Sequence, residues 1–191
     1  MIVRYDNVTL LILAGGRSKR FGSDKSNFKL SNKTFIDTIL DKTQDYFDEI
    51  LISCNKSQSH LSKYKLKLSY DIDENNQGPL WAIYSSSLNI KSEWVCVIPC
   101  DSPSFKINTI TDMIEKSMKN KHQLTLLKNK NDFLFTFLFF HNSLFKSLKK
   151  YAINGGKSIK GWVLENDYNE YSVDENIVNV NCIADLKKLN Q

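Results

Sequence analysis

The most constraining feature of this sequence is an apolar run, Val8–Leu13, that stops abruptly at Ala14-Gly15-Gly16. A short β-rich run of this kind is typical of a parallel strand that is buried on both faces of its sheet. Glycines directly after the run indicate a tight loop at the carboxyl end of the strand. A strand buried on both faces needs helices on both sides, so the run restricts the chain to α/β architectures.

Short apolar strands and helical patterns alternate along the rest of the chain. This order predicts an α/β fold with a mainly parallel sheet, helices on both faces and a ligand crevice at the carboxyl ends of the strands. No internal repeat or linker interrupts the pattern, so residues 1–191 are predicted to form a single domain. The further predicted strands are Glu49–Cys54, Trp94–Ile98, Gln123–Leu127 and Phe133–Phe140, and the predicted helices are Thr34–Phe47, Leu80–Leu88, Ile107–Met118 and Ser143–Tyr151.

Composition excludes several classes of protein. The 26 basic residues exceed the 21 acidic ones by only 5, which favours anionic ligands but does not indicate nucleic-acid binding. No apolar run approaches the ~18 residues of a membrane span. The four cysteines lack metal-site spacing and no secretory peptide precedes them, so we expect reduced thiols and a cytoplasmic protein. They are Cys54, Cys96, Cys100 and Cys182, and the middle pair is predicted to fill the core from one face of a strand.

The glycines open a strongly basic loop. From Leu13 to Lys25, three glycines and four cations lie within thirteen residues. Glycines allow backbone N–H groups to surround phosphate oxygens, and basic side chains neutralise their charge. Arg20 and Lys25 are the candidate triphosphate contacts; the alternative is a surface loop with incidental basic residues. Neither G-x-G-x-x-G nor a P-loop is present, since the Gly156-Lys157-Ser158 turn has Tyr151 where a P-loop has its first glycine.

The loop sequence LAGGRSKRFGSDK resembles the L-A-G-G-x-S-x-R-x-G-x-D-K signature of the molybdenum cofactor guanylyltransferases, a group of MobA-like nucleotidyltransferases. Gly15 and Asp24 favour this branch over the related cytidylyltransferases, which usually show A-A-G and lack the aspartate. The resemblance implies a three-layer α/β/α Rossmann-like nucleotidyltransferase fold. It also implies a GTP site formed by Leu13, Ala14, Gly15, Gly16, Lys25, Asn55, Asp71 and Asp101.

Asp101 is the candidate metal ligand. It follows the predicted strand WVCVI in the context PCDSP, so its carboxylate is expected in the crevice that holds the phosphates. Magnesium prefers oxygen ligands and is often held by one or two carboxylates together with substrate phosphates. The family's metal-binding aspartate lies in a matching P-C-D-x-P segment. The alternative is that Asp101 caps the helix that begins after Pro103.

Two further polar residues match the family's nucleotide contacts. Asp71 precedes the segment GPLWAI by seven residues, a distance at which the family has a nucleotide-binding aspartate, although Trp81-Ala82 replaces the commoner Ala-Gly pair. Asp73 is close enough to be the matching residue instead. Asn55 follows the strand EILISC and resembles an asparagine that could contact the base or ribose. Either residue type also occurs simply as a turn former.

The resemblance extends over nearly the whole chain. Residues 179–186 are similar to a closing N-x-N-T-x-x-D-L segment, with Cys182 in place of threonine, and Gly155-Gly156-Lys157 is similar to a G-G-[RK] turn. The segment Asn131–Leu134 departs from the family, because it lacks the proline that usually stands near the pterin. Candidate lysines for the pterin phosphate are Lys128, Lys130 and Lys157.

The resemblance implies an enzyme that transfers GMP from GTP to the terminal phosphate of molybdenum-molybdopterin, forming molybdopterin guanine dinucleotide and pyrophosphate. Mg²⁺ on Asp101 would act with Lys25 and Arg20 as the catalytic groups. The implied partners are GTP, molybdopterin and molybdoenzyme apoproteins or their chaperones, with no nucleic acid or membrane. Two alternatives stay open: transfer to another small phosphorylated acceptor or from CTP, and a non-catalytic chaperone that binds GTP or the cofactor for delivery.

Overall fold

Nine strands and five α-helices make up the regular structure in a computed structural model, which describes residues 3–15, 25–30, 32–72, 78–130 and 132–190, without the side chains of Lys25, Ile183, Leu189 and Asn190. The strands are β1 (Tyr5–Leu13), β2 (Lys29–Leu30), β3 (Lys33–Thr34), β4 (Phe47–Cys54), β5 (Lys67–Tyr70), β6 (Trp94–Pro99), β7 (Leu124–Asn129), β8 (Asp132–His141) and β9 (Asn169–Val173). The helices are α1 (Phe35–Thr43), α2 (Pro79–Ser87), α3 (Ile107–Lys119), α4 (Phe145–Ile153) and α5 (Ile159–Leu164).

Seven of the strands form one sheet, in the order β5-β4-β1-β6-β8-β7-β9. Only β8 runs against the others in this sheet, because it pairs antiparallel with both β6 and β7. The pairing of β1 places Leu13 opposite Ser53 of β4 and opposite Pro99 of β6. The carboxyl ends of β1, β4, β5 and β6 therefore meet at one edge of the sheet, which confirms the predicted α/β fold with a mainly parallel sheet.

The central strand β1 is buried on both of its faces. Leu10 and Ile12 pack on one side with α1 and α3, and Leu11 packs on the other side with α2, α4 and α5. These three side chains are 0% exposed, and burial of each stabilises the fold by roughly 2 kcal/mol. Helices thus cover both faces of the sheet, as the apolar run at residues 8–13 predicts, and the layers are α/β/α.

Phe47 corrects one of the predicted boundaries. It fits the helical spacing of the preceding segment, but α1 ends at Thr43 and Phe47 is the first residue of β4. The reason is tertiary: Phe47 pairs with Tyr5 of β1, and the two ring centroids lie 5.6 Å apart. The start of α1 is set locally by a capping box, in which Thr34 Oγ1 accepts from the Asp37 N–H and the Asp37 carboxylate accepts from the Thr34 N–H at 2.7 Å.

Several short elements were not predicted from the sequence pattern. These are the β2–β3 hairpin, β5, α5 and β9, of which β9 is an edge strand with alternating exposure. Short, half-exposed segments carry little hydrophobic periodicity. Cys96 and Cys100 lie buried in one core cluster, as predicted, and all four cysteines are free thiols. Within the described residues, no helix is long and apolar enough to cross a membrane.

Candidate active site

Gly15 brings the start of the glycine-rich loop against the ends of β4 and β5. The N–H groups of Ala14 and Gly15 both donate to the Ser53 carbonyl oxygen, at 2.8 and 3.0 Å. A Cβ atom placed on Gly15 would lie 3.7 Å from Asp71 Oδ2 and 3.9 Å from Asn55 Nδ2. Three residues that are widely separated in the sequence therefore form one polar surface at the carboxyl edge of the sheet.

Asp71, on this polar surface, has a shifted pKa. Its side chain is half-buried at the end of β5, and burial raises the pKa of the Asp71 carboxyl to about 6. A carboxylate with little water around it interacts strongly with a ligand hydroxyl or N–H that replaces the lost hydration. Asp73, the alternative residue, lies outside the described residues. Of the two candidate aspartates, Asp71 is the one that the structure describes, and it lies beside Gly15.

Asp101 lies at the same edge, on the other side of β1. The Cys100 N–H donates to the Leu13 carbonyl oxygen at 3.0 Å, which continues the pairing between β1 and β6. Asp101 is therefore the first residue beyond this pairing, and it is half-buried. Its backbone oxygen accepts a hydrogen bond from the Val180 N–H at 2.7 Å. The end of the chain thus reaches back to the candidate metal ligand.

The segment that carries Asp101, called here the Asp101 loop (residues 100–106), leads into α3. The N-cap residue of this helix, Lys106, has no side-chain cap of its own. Glu175 supplies the carboxylate instead, because it accepts from the Lys106 N–H at 2.7 Å and from the Thr109 hydroxyl. Asp101 is therefore not the N-cap residue of this helix, since that position is Lys106, five residues further along the chain, and the carboxylate bound there is that of Glu175.

Lys42 is a second residue that holds the Asp101 loop. This residue of α1 donates to the backbone oxygens of Pro103 and Phe105, the latter at 2.8 Å, and its ammonium lies 5.0 Å from the centroid of the Phe105 ring. Ser104 Oγ in turn accepts from the Val178 N–H at 2.9 Å. Nothing in the local sequence around Lys42 or Glu175 signals these contacts, and sequence reasoning missed both residues.

The closing segment of the chain also contacts the residues that follow the glycine-rich loop. Val178 and Val180 form a small apolar cluster with Phe35, against which Phe28 and Leu30 pack. The C-terminal segment therefore touches the chain on both sides of the candidate site. This arrangement gives a structural reason for the similarity of residues 179–186 to the closing motif.

Cys182 stands where the closing motif usually has threonine. Its Sγ donates to Asp185 Oδ2 at 3.3 Å, and the N–H groups of Asn181 and Cys182 donate to the same oxygen at 3.0 and 3.1 Å. Lys188 lies 2.7 Å from the other carboxylate oxygen. These hydrogen bonds, with that of Lys188 the strongest, hold the pKa of Asp185 well below its usual range. The thiol makes a donor contact of the kind that a threonine hydroxyl could make, so the departure from the motif is mild.

Two of the candidate pterin-phosphate lysines lie at the carboxyl end of β7. The Lys128 ammonium pairs with Glu170 at 2.8 Å and lies 4.8 Å from the centroid of the Phe133 ring. Lys130 is exposed, and its N–H donates to the Val173 carbonyl oxygen at 3.1 Å. Lys128 is thus engaged by an acid and a ring, whereas the Lys130 side chain is presented to solvent.

The third candidate, Lys157, is positioned by a steric fit. A Cβ atom on Gly156 would lie 2.3 Å from Tyr151 Cε1, so only glycine fits at this turn. Gly78 has φ +87°, which favours glycine, and a Cβ there would lie 3.9 Å from the Lys157 carbonyl oxygen. The G-G-K turn and the start of α2 are therefore neighbours, and the exposed Lys157 side chain belongs to the same side of the molecule as the GPL segment.

The structure brings most of the predicted site residues to one edge. Leu13 ends β1 and Ala14 and Gly15 follow it, while Asn55, Asp71 and Asp101 follow β4, β5 and β6. Gly16 and Arg20 lie outside the described residues, and Lys25 is described only as the backbone start of a 3₁₀ turn, Lys25–Asn27. A glycine-rich loop, polar side chains and an aspartate at the carboxyl edge of a parallel sheet are features typical of nucleotide-binding proteins of the α/β class.

Comparison with known proteins identifies the family to which this chain belongs. The family described as MobA-like NTP transferase domain matches residues 10–167 of this chain. The chain therefore belongs to the MobA-like NTP transferase family, and it is a nucleotidyltransferase.

Individual relatives agree with the family assignment. The molybdenum cofactor guanylyltransferase of Shewanella halifaxensis is 29% identical over 188 residues, which span 96% of this chain and 94% of the relative. The crystal structure of molybdopterin-guanine dinucleotide biosynthesis protein A from Archaeoglobus fulgidus superposes with a TM-score of 0.81 at 18% identity, covering 95% of this chain and 96% of the other. A Mycobacterium tuberculosis protein in complex with manganese has a TM-score of 0.75 at 14% identity, with 96% and 97% covered. The two structural matches show that the fold is shared.

Proposed function

We propose that this protein transfers GMP from GTP to the terminal phosphate of molybdenum-molybdopterin, forming molybdopterin guanine dinucleotide and pyrophosphate. The observation that carries the proposal is the meeting of Gly15, Asn55 and Asp71 at one edge of the sheet, with Asp101 at the same edge. Similarity to curated guanylyltransferases along nearly the full chain supports the choice of substrates.

The nucleotide half of the proposal rests on the ends of β1, β4 and β5. Residues 13–16 border the phosphates in this proposal. Since the Ala14 and Gly15 N–H groups donate to the Ser53 carbonyl oxygen, the glycine contributes close backbone approach and not a free donor. Asn55 and Asp71 supply an amide and a carboxylate to the base or ribose. Arg20 and Lys25 neutralise the triphosphate and then the pyrophosphate that leaves.

The transfer half of the proposal rests on Asp101. Its carboxylate is a hard oxygen ligand at the phosphate edge, which suits a divalent cation and Mg²⁺ in particular. Bound Mg²⁺ would offset the negative charge that develops on the α-phosphate. The acceptor phosphate is already ionised at neutral pH, so no side chain need act as a general base and the chain's task is to align the two substrates. Lys128, Lys130 and Lys157 are the proposed contacts of the acceptor phosphate. A cytoplasmic location and delivery to molybdoenzyme apoproteins or their chaperones belong to the same proposal.

The test is pyrophosphate release with Mg²⁺, molybdate-loaded molybdopterin and each of the four ribonucleoside triphosphates in turn. We expect release with GTP alone, and a loss of at least about 100-fold in Asp101→Ala, because a metal contact contributes several kcal/mol to the transition state. Asp45→Ala is the matched control, since this exposed acid precedes β4 at the opposite edge of the sheet.

Each other outcome points to a named alternative. Turnover with CTP, or only with another phosphorylated acceptor, would keep nucleotidyl transfer and refute the guanylyl or pterin assignment. Nucleotide binding without any pyrophosphate release, unchanged by Asp101→Ala, would favour the delivery chaperone.

A further inference from the structure

Gln58 is a buried amide that lies between the two ends of the glycine-rich loop. It follows β4 by four residues and is only 3% exposed, although its side chain is polar. Its backbone N–H donates to the Asn55 carbonyl oxygen at 2.9 Å, which closes a turn between the two residues. Buried glutamine is uncommon unless its amide is hydrogen-bonded, so its contacts indicate what the residue does.

The Gln58 amide contacts three separate parts of the candidate site. Its Nε2 donates to the Ala14 carbonyl oxygen at 3.0 Å, where the glycine-rich loop begins. The same nitrogen donates to Ser26 Oγ at 3.1 Å, directly after the loop ends at Lys25. Its Oε1 accepts from the Asn55 N–H at 2.9 Å. One planar group therefore connects both ends of the loop to the residue proposed to contact the base or ribose.

The network continues beyond Ser26. This serine is 1% exposed, and its Oγ lies 3.0 Å from His60 Nε2. The Leu61 N–H, next to His60 in the chain, donates to the Gln58 backbone oxygen at 3.0 Å, at the start of the 3₁₀ turn Ser59–Tyr64. The segment after β4 thus forms a rigid base on which the residues at the end of the loop are seated.

We propose that Gln58 is a positioning residue, which closes the base of the glycine-rich loop and fixes Asn55 so that both hold the nucleotide in one geometry. Eleven residues lie between Ala14 and Ser26, and the entropic cost of closing a segment grows with its length. Because both ends are tied to one amide in the folded protein, this closure does not have to be made when phosphate binds. The identity of the nucleotide rests on the function proposed above.

An amide is the one side-chain group that fits these three contacts. It offers two N–H donors and one carbonyl acceptor on a rigid plane, which are the groups that Ala14, Ser26 and Asn55 require. An ionised carboxylate of the same shape has no donor and would face the Ala14 carbonyl oxygen with a negative charge. A leucine of similar volume has neither a donor nor an acceptor.

The test measures the Kd of GTP in the presence of Mg²⁺, together with the melting temperature, for the full chain. We expect Gln58→Glu and Gln58→Leu to raise the Kd at least about tenfold, because the loop loses two anchoring hydrogen bonds. Ser26→Ala removes one acceptor and is expected to raise the Kd by a smaller factor of about three. Gln44→Glu is the matched control, since it introduces the same charge at an exposed site after α1 and should leave the Kd unchanged.

Two readouts separate positioning from simple loss of folding. A variant that merely unfolds lowers the fraction of active protein, and therefore kcat, but leaves KM for GTP unchanged in the molecules that remain folded. Positioning predicts a raised KM for GTP with a KM for the phosphorylated acceptor close to that of the wild type. In the double variant of Ser26→Ala and Gln58→Leu, the effects should be less than additive, because both changes break the same hydrogen bond. Ser26→Ala also keeps the inference testable if the Gln58 variants do not fold.

The inference is overturned if folded Gln58 variants bind GTP within twofold of the wild type. Its failure is distinguishable from failure of the proposed function. If the wild type binds CTP in place of GTP, the guanylyl assignment falls, and the Gln58 variants are judged by the Kd of CTP. A wild-type protein that binds no nucleoside triphosphate refutes both.

Discussion

The two loops that flank β1 at the carboxyl edge are held by anchors of opposite character. The glycine-rich loop is tied at its base by a neutral amide, that of Gln58. The Asp101 loop is held by charged groups, because Lys42 binds its carbonyl oxygens and Glu175 binds an N–H at its end. Both anchors reach their loops from elsewhere in the sequence, so the contrast lies in charge and not in distance.

A physical reason accounts for this contrast. The glycine-rich loop carries four cations for its ligand, and a charged anchor at its base would weaken or compete with that potential. The Asp101 loop needs one carboxylate to remain available, and one cation together with one anion leaves the net charge around the loop unchanged. Burial lowers the pKa of Lys42, and nearby Glu175 acts against that effect. A loop at the sheet edge that is already strongly charged is therefore anchored by an uncharged group.

The largest effect is expected from Lys42→Met. The change leaves the buried carbonyl oxygens of Pro103 and Phe105 without this donor, at a cost of about 2 kcal/mol in the free energy of unfolding. Urea unfolding measures this cost. The control is Lys149→Met, at an exposed position of α4. If the two loops are anchored separately, Lys42→Met lowers turnover while the Kd of GTP stays near that of the wild type. A rise in this Kd equal to that of the Gln58 variants would show that the two loops are not anchored separately.

Glu175→Ala is expected to have a smaller effect, about 1 kcal/mol, because it removes the carboxylate at the start of α3. The neighbouring exposed acid provides the control: Asp174→Ala removes the same charge and should change the stability by less than about 0.5 kcal/mol. Thermal unfolding at two salt concentrations measures both. Equal losses in the two variants would mean that general charge, and not the cap, stabilises the Asp101 loop.

For Asp71→Asn we expect an effect that is no larger than that of Glu175→Ala and has the opposite sign. Because burial raises the pKa of Asp71 from 3.8 to about 6, the folded state holds the proton more tightly than the unfolded state. The ionised carboxylate therefore destabilises the fold above pH 6, and the variant should be more stable there by about 1 kcal/mol after screening by solvent. This gain should shrink between pH 6 and pH 4 and vanish below that range.

Urea unfolding from pH 4 to pH 8 measures the Asp71 effect, with Asp45→Asn as an exposed control. The same variant should bind GTP more weakly, since it replaces a carboxylate that the proposal assigns to the nucleotide. A stability gain that does not depend on pH would contradict the assigned titration. A gain without any loss of binding would place the nucleotide away from the Asp71 side of the site.

Much of the fold was predictable from local patterns, and the exceptions share a cause. The run Val8–Leu13 predicts a buried strand because its apolar side chains leave no exposed face, and the structure confirms it. Phe47 was wrongly predicted as helical, since its spacing fits α1 but its ring packs on Tyr5. The half-exposed edge strand β9 was missed because its sequence, NEYSV, lacks an apolar face. That the whole chain is one domain stays a prediction, as do the roles assigned to the site residues.

The amino-acid sequence alone was enough to predict the buried strands, the glycine-rich loop after β1 and the position of Asp101 after β6. These features depend on residues that are consecutive in the chain. It also carried the motifs by which the family is identified. Three contacts could be found only in the folded structure: Asp71 lies beside Gly15, Gln58 joins both ends of the glycine-rich loop, and Glu175 caps α3. These contacts join residues tens of positions apart, and only the packing of the sheet and its helices determines which distant side chains meet.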